Sequence, residues 1–330
     1  MSGWAILGQA VLALVGGGIV GLLYRGLDRK IAARMQARLG PPLRQPFLDL
    51  GKLLAKETVI PKTAVAWVFS AMPFVAAIAS FTALLYLPWG PFGPILEGHG
   101  DALLVLYLLA VPALAMALGG FASGSPLGVV GAQRELVMLV SYEFPLAVVL
   151  VALAWRLSTL GIAPAFSLGQ MARYPLWGVV GPLGLIGLVV LLVSLLVVTP
   201  AELAKIPFDI PEAETEIAGG LFVEYSGTYL ALFYLADAVR TVVMAGLVVA
   251  LFVPYGIAQP LGLAGAAAQA VDLLFWLAKV FGVMAAAVTT VRVGMARLKV
   301  DQIARGFWWR VTAVALSGLL LLALDKVVSG

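Results

Sequence analysis

The segment Trp177–Thr199 reads WGVVGPLGLIGLVVLLVSLLVVT and carries no charge, while the stretch that follows it, Lys205–Gly227, reads KIPFDIPEAETEIAGGLFVEYSG and is acidic. At 1.5 Å per residue, an apolar run of about twenty residues crosses the roughly 30 Å hydrocarbon core of a bilayer. A continuous apolar run must satisfy its backbone internally there, so it is a helix; barrel strands would alternate. Similar runs recur at Trp4–Tyr24, Ala64–Leu87, Ala102–Ala122, Val137–Trp155, Thr228–Val253, Val271–Val291 and Phe307–Val328. The expected fold is an all-α polytopic membrane protein with eight transmembrane helices, forming one transmembrane domain over residues 1–330.

Composition agrees. Of 330 residues, 62% are hydrophobic and 12% charged, whereas soluble domains carry about 25% charged residues. No linker, low-complexity block or fixed-period repeat interrupts the spans. The N-terminal apolar segment lacks a basic region before it and reads as an uncleaved first span.

The net charge of +4 acquires meaning when mapped. Arg25, Arg29, Lys30, Arg34, Arg38, Arg44, Lys52, Lys56 and Lys62 follow the first span, and Arg292, Arg297, Lys299, Arg305 and Arg310 surround the last connection. Basic residues near span ends mark the cytoplasmic side. Only Arg156, Arg173 and Lys326 fall on the other side, so both termini are expected outside, in a cell inner (cytoplasmic) membrane. The basic clusters are topology signals and give no reason to expect nucleic acid.

The chain has no cysteine, which removes disulfides, thiolate-held iron–sulfur clusters and Cys-based zinc sites. Its single histidine, His99, stands between Glu97 and Asp101 in EGHGD, where one imidazole and two carboxylates could form a weak metal site, although a plain polar turn is the preferred reading. No cofactor is expected in this chain, and any electron transfer belongs to a partner.

Phe47, Leu50 and Leu54 share one helical face, and Asp49, Lys52 and Lys56 another, which predicts an amphipathic helix over about 43–58 lying on the membrane beside Gly40-Pro41-Pro42. Pro73, Pro112, Pro145 and Pro182 fall inside apolar runs and would kink them. Pro145 would free the carbonyl of Ser141 near Glu143, a place suited to holding water.

Ionisable residues inside spans are costly and usually functional. Glu143 falls in the fourth run, Asp237 and Arg240 in the sixth, and Lys279 in the seventh, roughly 12 Å of helix from its start. Asp237 and Arg240, three apart, can neutralise each other on one helix. Lys279 is too deep to snorkel easily and is expected to meet Asp237 or Glu143 across the bundle. Tyr234 and Thr241 add hydroxyls to the Asp237 face. Buried acids and bases with hydroxyls between them are the materials of a proton relay. The loop carboxylates Asp209, Glu212, Glu214, Glu216 and Glu224 mark a wet cavity, an ion path or a partner surface, although a solvated loop would have the same composition.

Three blocks resemble one family. Pro207–Gly227, Leu118–Pro145 (LGGFASGSPLGVVGAQRELVMLVSYEFP) and Gly40–Glu57 (GPPLRQPFLDLGKLLAKE) are similar to the H-type membrane subunit (mitochondrial subunit 1) of NADH:quinone oxidoreductase, respiratory complex I, and to its relatives in energy-converting membrane-bound nickel–iron (NiFe) hydrogenases. The blocks cover about a fifth of the chain. Quinone-reducing relatives are expected to carry a longer segment of the form GPNxxGPxGLLQPxADxxKL; here Gly40-Pro41-Pro42 runs almost directly into Gln45-Pro46-Phe47, which resembles the hydrogenase and formate hydrogenlyase branch. Glu135 after Arg134, Asp237 where complex I usually has Glu, and Lys205 where it commonly has Arg point the same way.

The resemblance implies a membrane-anchor and ion-path subunit of an energy-converting NiFe hydrogenase-like complex, without redox chemistry or activity of its own. Partners implied are hydrogenase-like large and small peripheral subunits, an iron–sulfur subunit and antiporter-like membrane subunits moving protons or Na⁺; the NiFe centre and iron–sulfur clusters lie in those partners. Glu143, Asp237, Lys279, Glu224, Glu216, Glu214, Glu212 and Asp209 would carry the ion. Gly40, Pro41, Pro42, Gln45, Phe47, Asp49, Lys56, Arg134, Glu135 and Lys205 would contact the peripheral arm or line a quinone-like cavity. Two alternatives stay open: the H-type, quinone-chamber subunit of complex I, and a stand-alone secondary transporter, which would show no such blocks and would be expected to show inverted repeats.

Overall fold

The computed structural model describes residues 3–329, with side chains described from residue 7 to 328; the terminal residues, expected outside the membrane, lie beyond this range. The described residues form thirteen α-helices: α1 Gly3–Met35, α2 Gln45–Ala55, α3 Ala66–Leu85, α4 Asp101–Ala122, α5 Pro126–Thr159, α6 Leu168–Arg173, α7 Pro182–Glu202, α8 Glu214–Ile217, α9 Gly227–Phe252, α10 Gly265–Met284, α11 Thr290–Gly294, α12 Val300–Arg305 and α13 Thr312–Ser329. Short π-helical segments at Ala285–Thr289 and Gly306–Val311 join α10 to α11 and α12 to α13. Among the described residues, eight helical stretches are long and apolar enough to cross a membrane, as the hydropathy pattern requires.

Helix ends depart from the hydropathy reading in ways that matter. The fourth span begins at Pro126, so Arg134 and Glu135 stand on α5 itself. Pro182, expected inside a span, sits in the first turn of α7, where its missing N–H costs nothing; Leu176–Gly178 form a separate 3₁₀ turn. The same helix runs on through Pro200 to Glu202.

Helix α9 is the axis, with 89% of its apolar window buried, and α1, α3, α4, α7 and α10 pack against it. The close approach of α1 depends on glycine. A Cβ on Gly21 would come within 2.3 Å of the Ala238 carbonyl oxygen, and one on Gly17 within 2.2 Å of a Leu84 methyl. Gly21 thus lets α1 lie on the α9 backbone, and Gly17 makes room for a side chain of α3.

Eight passes divide the connections between two ends. At one, the charged end, lie α2, residues 203–226 and the α11–α12 connection: Val59 N–H donates to Ser226 Oγ at 3.0 Å, and Leu298 N–H to the Pro207 carbonyl at 3.1 Å. At the other lie the 86–100, 160–181 and 253–264 connections, where Trp177 Nε1 donates to the Phe252 carbonyl. There Asp325 of α13 accepts from Gly181 N at 3.0 Å and Gly184 N at 2.9 Å, at the start of α7, and meets Arg156 of α5 at 3.3 Å. A carboxylate at a helix N-terminus is stabilised by the unpaired N–H groups there.

Candidate functional site: a charged cavity and the buried cluster beneath it

Residues 203–226 fold as three short turns instead of a free loop, because basic side chains from α5 and from the last connection hold them. Arg134 of α5 donates to Glu216 at 2.7 Å, and Arg297 takes Asp209 in a fork at 2.8 and 2.5 Å while also donating to Thr215 Oγ1 at 2.9 Å. The far end of the segment is fastened by Tyr225, stacked on Phe69 with ring centroids 4.0 Å apart and donating to the Phe69 carbonyl at 3.1 Å. Gly131 leaves room for the segment to lie on α5: its Cβ would meet Leu221 N at 2.8 Å.

Between this segment, α1, α9 and the α10–α11 stretch lies a cavity of about 310 Å³. Arg25, Arg29, Lys205 and Arg292 bring positive charge to its wall, and Asp28, Asp209, Glu212 and Glu214 negative charge. The balance is local. Asp28 accepts from Thr289 Oγ1 at 2.7 Å and pairs with Arg292 at 2.6 Å, and Thr289 in turn meets Tyr24 Oη at 3.1 Å. Thr289 is the last residue of the first π segment, which suits the tendency of single π turns to fall at functional sites. Burial pushes the Glu212 carboxyl above the usual carboxylate range; Lys205 and Arg25 oppose this and Asp237 adds to it.

At the floor of the cavity Asp237 of α9 meets Arg25 of α1 at 2.6 Å and Lys205 at 2.7 Å. Arg25 also donates to the Tyr234 carbonyl at 3.0 Å and lies over the Tyr234 ring, 3.8 Å from its centroid. Beneath, wholly inside the bundle, are Glu135 and Tyr142 of α5, Glu202 of α7 and Arg240 of α9, each 1% exposed. Arg240 donates to the Glu202 backbone carbonyl and faces the side chains of Glu202, Tyr142, Asp237 and Glu135. The Tyr142 hydroxyl faces Glu202 without closing a hydrogen bond. Glu135 Oε2, Glu202 Oε1, Arg240 Nε and Tyr142 Oη have no hydrogen-bond partner among the described residues. Buried polar atoms of this kind are normally satisfied by ordered water. Glu143 lies one residue beyond Tyr142, half-buried on the flank of α5 and within electrostatic reach of Glu202.

The arrangement therefore gathers Asp209, Glu212, Glu214 and Lys205 around one space, with Asp237 joined to its wall through Arg25 and Lys205, and Glu135 and Glu143 further in. It does not include Lys279. That side chain donates to the Val253 and Tyr255 carbonyls at 2.6 and 2.7 Å, closing the far end of α9. Sixteen residues of helix, about 24 Å, separate Val253 from Asp237, so the expected Lys279 pair with Asp237 is corrected: the countercharges of Asp237 are Arg25 and Lys205. Snorkelling to helix-terminal carbonyls, and not a facing acid, accommodates the lysine. Glu135, expected at the peripheral-arm contact, is instead fully buried in the inner cluster.

Glu216 is at the surface under Arg134, and Glu224 is partly buried in the last turn before α9. Asp49 of α2 accepts from Arg29 at 2.9 Å and Gln45 at 2.8 Å, which seats the amphipathic helix on α1, while Lys56, just after α2, is exposed. Pro46 is the buried residue of α2, with Phe47 partly covered. Gly40, Pro41 and Pro42 lie in the connection between α1 and α2. Sequence reasoning passes over Glu202, which ends a span behind Pro200, and treats Arg25, Asp28, Arg292 and Arg297 only as topology signals or not at all. A carboxylate within the last turn of a 21-residue apolar helix is the available clue. Among the described residues, no group of three or more His, Asp or Glu side chains is placed to hold a metal.

The sequence matches the family model for NADH dehydrogenase over residues 8–323. The H-type subunit of NADH-quinone oxidoreductase from Syntrophotalea carbinolica is 33% identical over 309 residues, covering 86% of this chain and 84% of that protein. Hydrogenase-4 component C of Escherichia coli strain K12 is 36% identical over 262 residues, covering 78% of each. Among solved structures, a chain of the membrane-bound sulfane sulfur reductase, an archaeal respiratory membrane complex, superposes with a TM-score of 0.82 at 25% identity, over 96% of this chain and 99% of that one.

Proposed function

The chain belongs to the NADH dehydrogenase family, as a membrane subunit of a complex I-like oxidoreductase assembly, and from that premise we propose that it is the membrane-anchor and ion-path subunit of an energy-converting NiFe hydrogenase-like complex. In this reading the charged end faces the cytoplasm of a cell inner membrane and receives the peripheral redox arm, whose large, small and iron–sulfur subunits hold the NiFe centre and clusters. The observation that carries the proposal is the succession of ionisable groups from the cavity wall, through Asp237 between Arg25 and Lys205, to the buried Glu135, Glu202 and Arg240 and out to Glu143. Unpartnered carboxylate and hydroxyl oxygens in that cluster offer places where water and a proton can be passed on toward antiporter-like subunits.

The short Gly40-Pro41-Pro42 turn leading into α2 and the similarity to hydrogenase-4 component C favour the hydrogenase branch. One observation favours a second reading, the quinone-chamber subunit of complex I. A cavity of about 310 Å³ lined by Tyr24, Met284 and Val288 as well as charges has room for a quinone head group.

The test uses the intact complex with Glu202→Gln and Glu135→Gln. Gln keeps size and hydrogen bonding without exchanging a proton, so both variants should assemble with unchanged metal content in the partner subunits, while coupled ion uptake falls to a small fraction. Unchanged ion uptake in the double variant refutes the path. Turnover of hydrogen with no quinone reduction supports the hydrogenase branch; NADH-driven quinone reduction supports the second reading.

A further inference from the structure

A second cavity, of about 330 Å³, opens at the C-terminal end of α1, and the ion path makes no use of it. Its construction is local. Ala37 adopts a left-handed conformation with φ 55°, Arg38 N–H donates to the Ala33 carbonyl at 2.7 Å, and the chain turns back along α1. Gly40 lands on the helix so closely that a Cβ would lie 2.9 Å from Lys30 Cα and 3.1 Å from Ala33 Cβ.

The walls combine Arg29, Arg38 and Arg292 with Leu39, Gly40 and Pro41, and no carboxylate lines the space. Arg29 and Arg292 each spend one terminal nitrogen on a neighbour outside it, Asp49 at 2.9 Å and Asp28 at 2.6 Å, and Arg38 leans on Gln36. A guanidinium has five N–H donors, so most of the donors remain. The rim carries an exposed apolar side chain: Leu39 is 89% exposed. Below it Leu12, Val15, Ile19 and Leu23 are exposed on α1, and a period of 3.6 residues puts them on the same side as Lys30 and Ala33.

We propose that this cavity binds the phosphate head group of an anionic phospholipid, with an acyl chain lying along the Leu12–Leu23 stripe. Guanidinium forks match phosphate oxygens, and basic pockets at the ends of transmembrane helices suit anionic head groups. A free phosphate would meet the same arginines but would leave the stripe unused. Arg29 and Arg292 also line the charged cavity, so the bound lipid would sit against the groups that hold Asp28 and Asp49.

The experiment takes the full chain in mild detergent, strips its lipid, and counts adducts by native mass spectrometry with phosphatidylglycerol or phosphatidylcholine of matched acyl chains. Phosphatidylglycerol should bind more tightly and should resist excess inorganic phosphate. Arg38→Gln should weaken it about fivefold, the effect of one surface cation on an anionic lipid. Arg38 is exposed and touches only Gln36 among the described residues, so that variant should fold. Lys62→Gln, remote from the cavity, should leave binding unchanged. Equal binding of phosphatidylcholine, an undiminished Arg38→Gln variant, or displacement by phosphate would each overturn the proposal. Loss of the adduct when peripheral subunits are added would also overturn it, since the cavity would then be a protein interface.

Discussion

At Glu212 burial outweighs three nearby cations, and the carboxyl is displaced upward from its ordinary range. For an acid held above its unfolded value, the folded state binds the proton more tightly than the unfolded chain. The resulting penalty is absent below the ordinary Glu range and grows as pH rises through the window between the unfolded and folded values. Glu212→Gln should therefore raise thermal stability in detergent at alkaline pH, and the advantage should vanish in acid; an advantage equal at all pH values would point to packing. Asp325 belongs to a buried ion pair, its side chain and that of Arg156 being 2% and 6% exposed. Asp325→Asn leaves Arg156 charged and buried, and removing one partner of a buried pair typically costs about 3–5 kcal/mol. A melt matching the wild type would show that the Gly181 and Gly184 amides, not the charge, define that site.

Among the helices, α1 stands on a narrow margin. Any side chain at Gly21 meets the Ala238 backbone, which cannot move aside as a flexible side chain would. Gly21→Leu should push α1 from α9, cost about 1–3 kcal/mol as overpacking does, and lengthen the Arg25–Asp237 contact. Measured stability and ion uptake should thus fall together; a stable variant with normal uptake would show that α1 can shift without disturbing Asp237. The α10–α11 stretch offers a gentler change. Thr289→Val keeps the shape but removes the hydroxyl between Tyr24 and Asp28, at about 1 kcal/mol for a lost hydrogen bond. Tyr24→Phe added to it should cost little more, since both act on one chain of bonds, whereas additive losses would mean that the two hydroxyls work separately.

Taken across the molecule, the spans are legible in the sequence because hydropathy is a property of each segment alone. Their ends are less so: Pro182 opens a helix that the apolar pattern starts at Trp177, and α5 extends backward over Arg134 and Glu135 because an early polar turn does not end a helix. Asp237 is visible as a charge inside an apolar run, but its partners are not. Pairing joins positions 25, 205 and 237, and no local pattern encodes which cation reaches which acid. Lys279 fails for the same reason, since helix-terminal carbonyls leave no mark in the side-chain sequence.

The two cations on Asp237 also differ in when they become available. Arg25 precedes Asp237 by 212 residues and Lys205 by only 32. At roughly 5–20 residues per second, Arg25 leaves the ribosome about 10–40 s before its partner is made. Asp237 must enter the bilayer at a cost of roughly 2.5–3.5 kcal/mol if it enters alone. Lys205 emerges just ahead of it and can escort the acid as α7 and α9 are inserted, leaving the link to α1 to form later. A chain lacking the lysine would then suffer first during biogenesis, as slower integration and earlier degradation by membrane proteases, before any defect appeared in the finished protein.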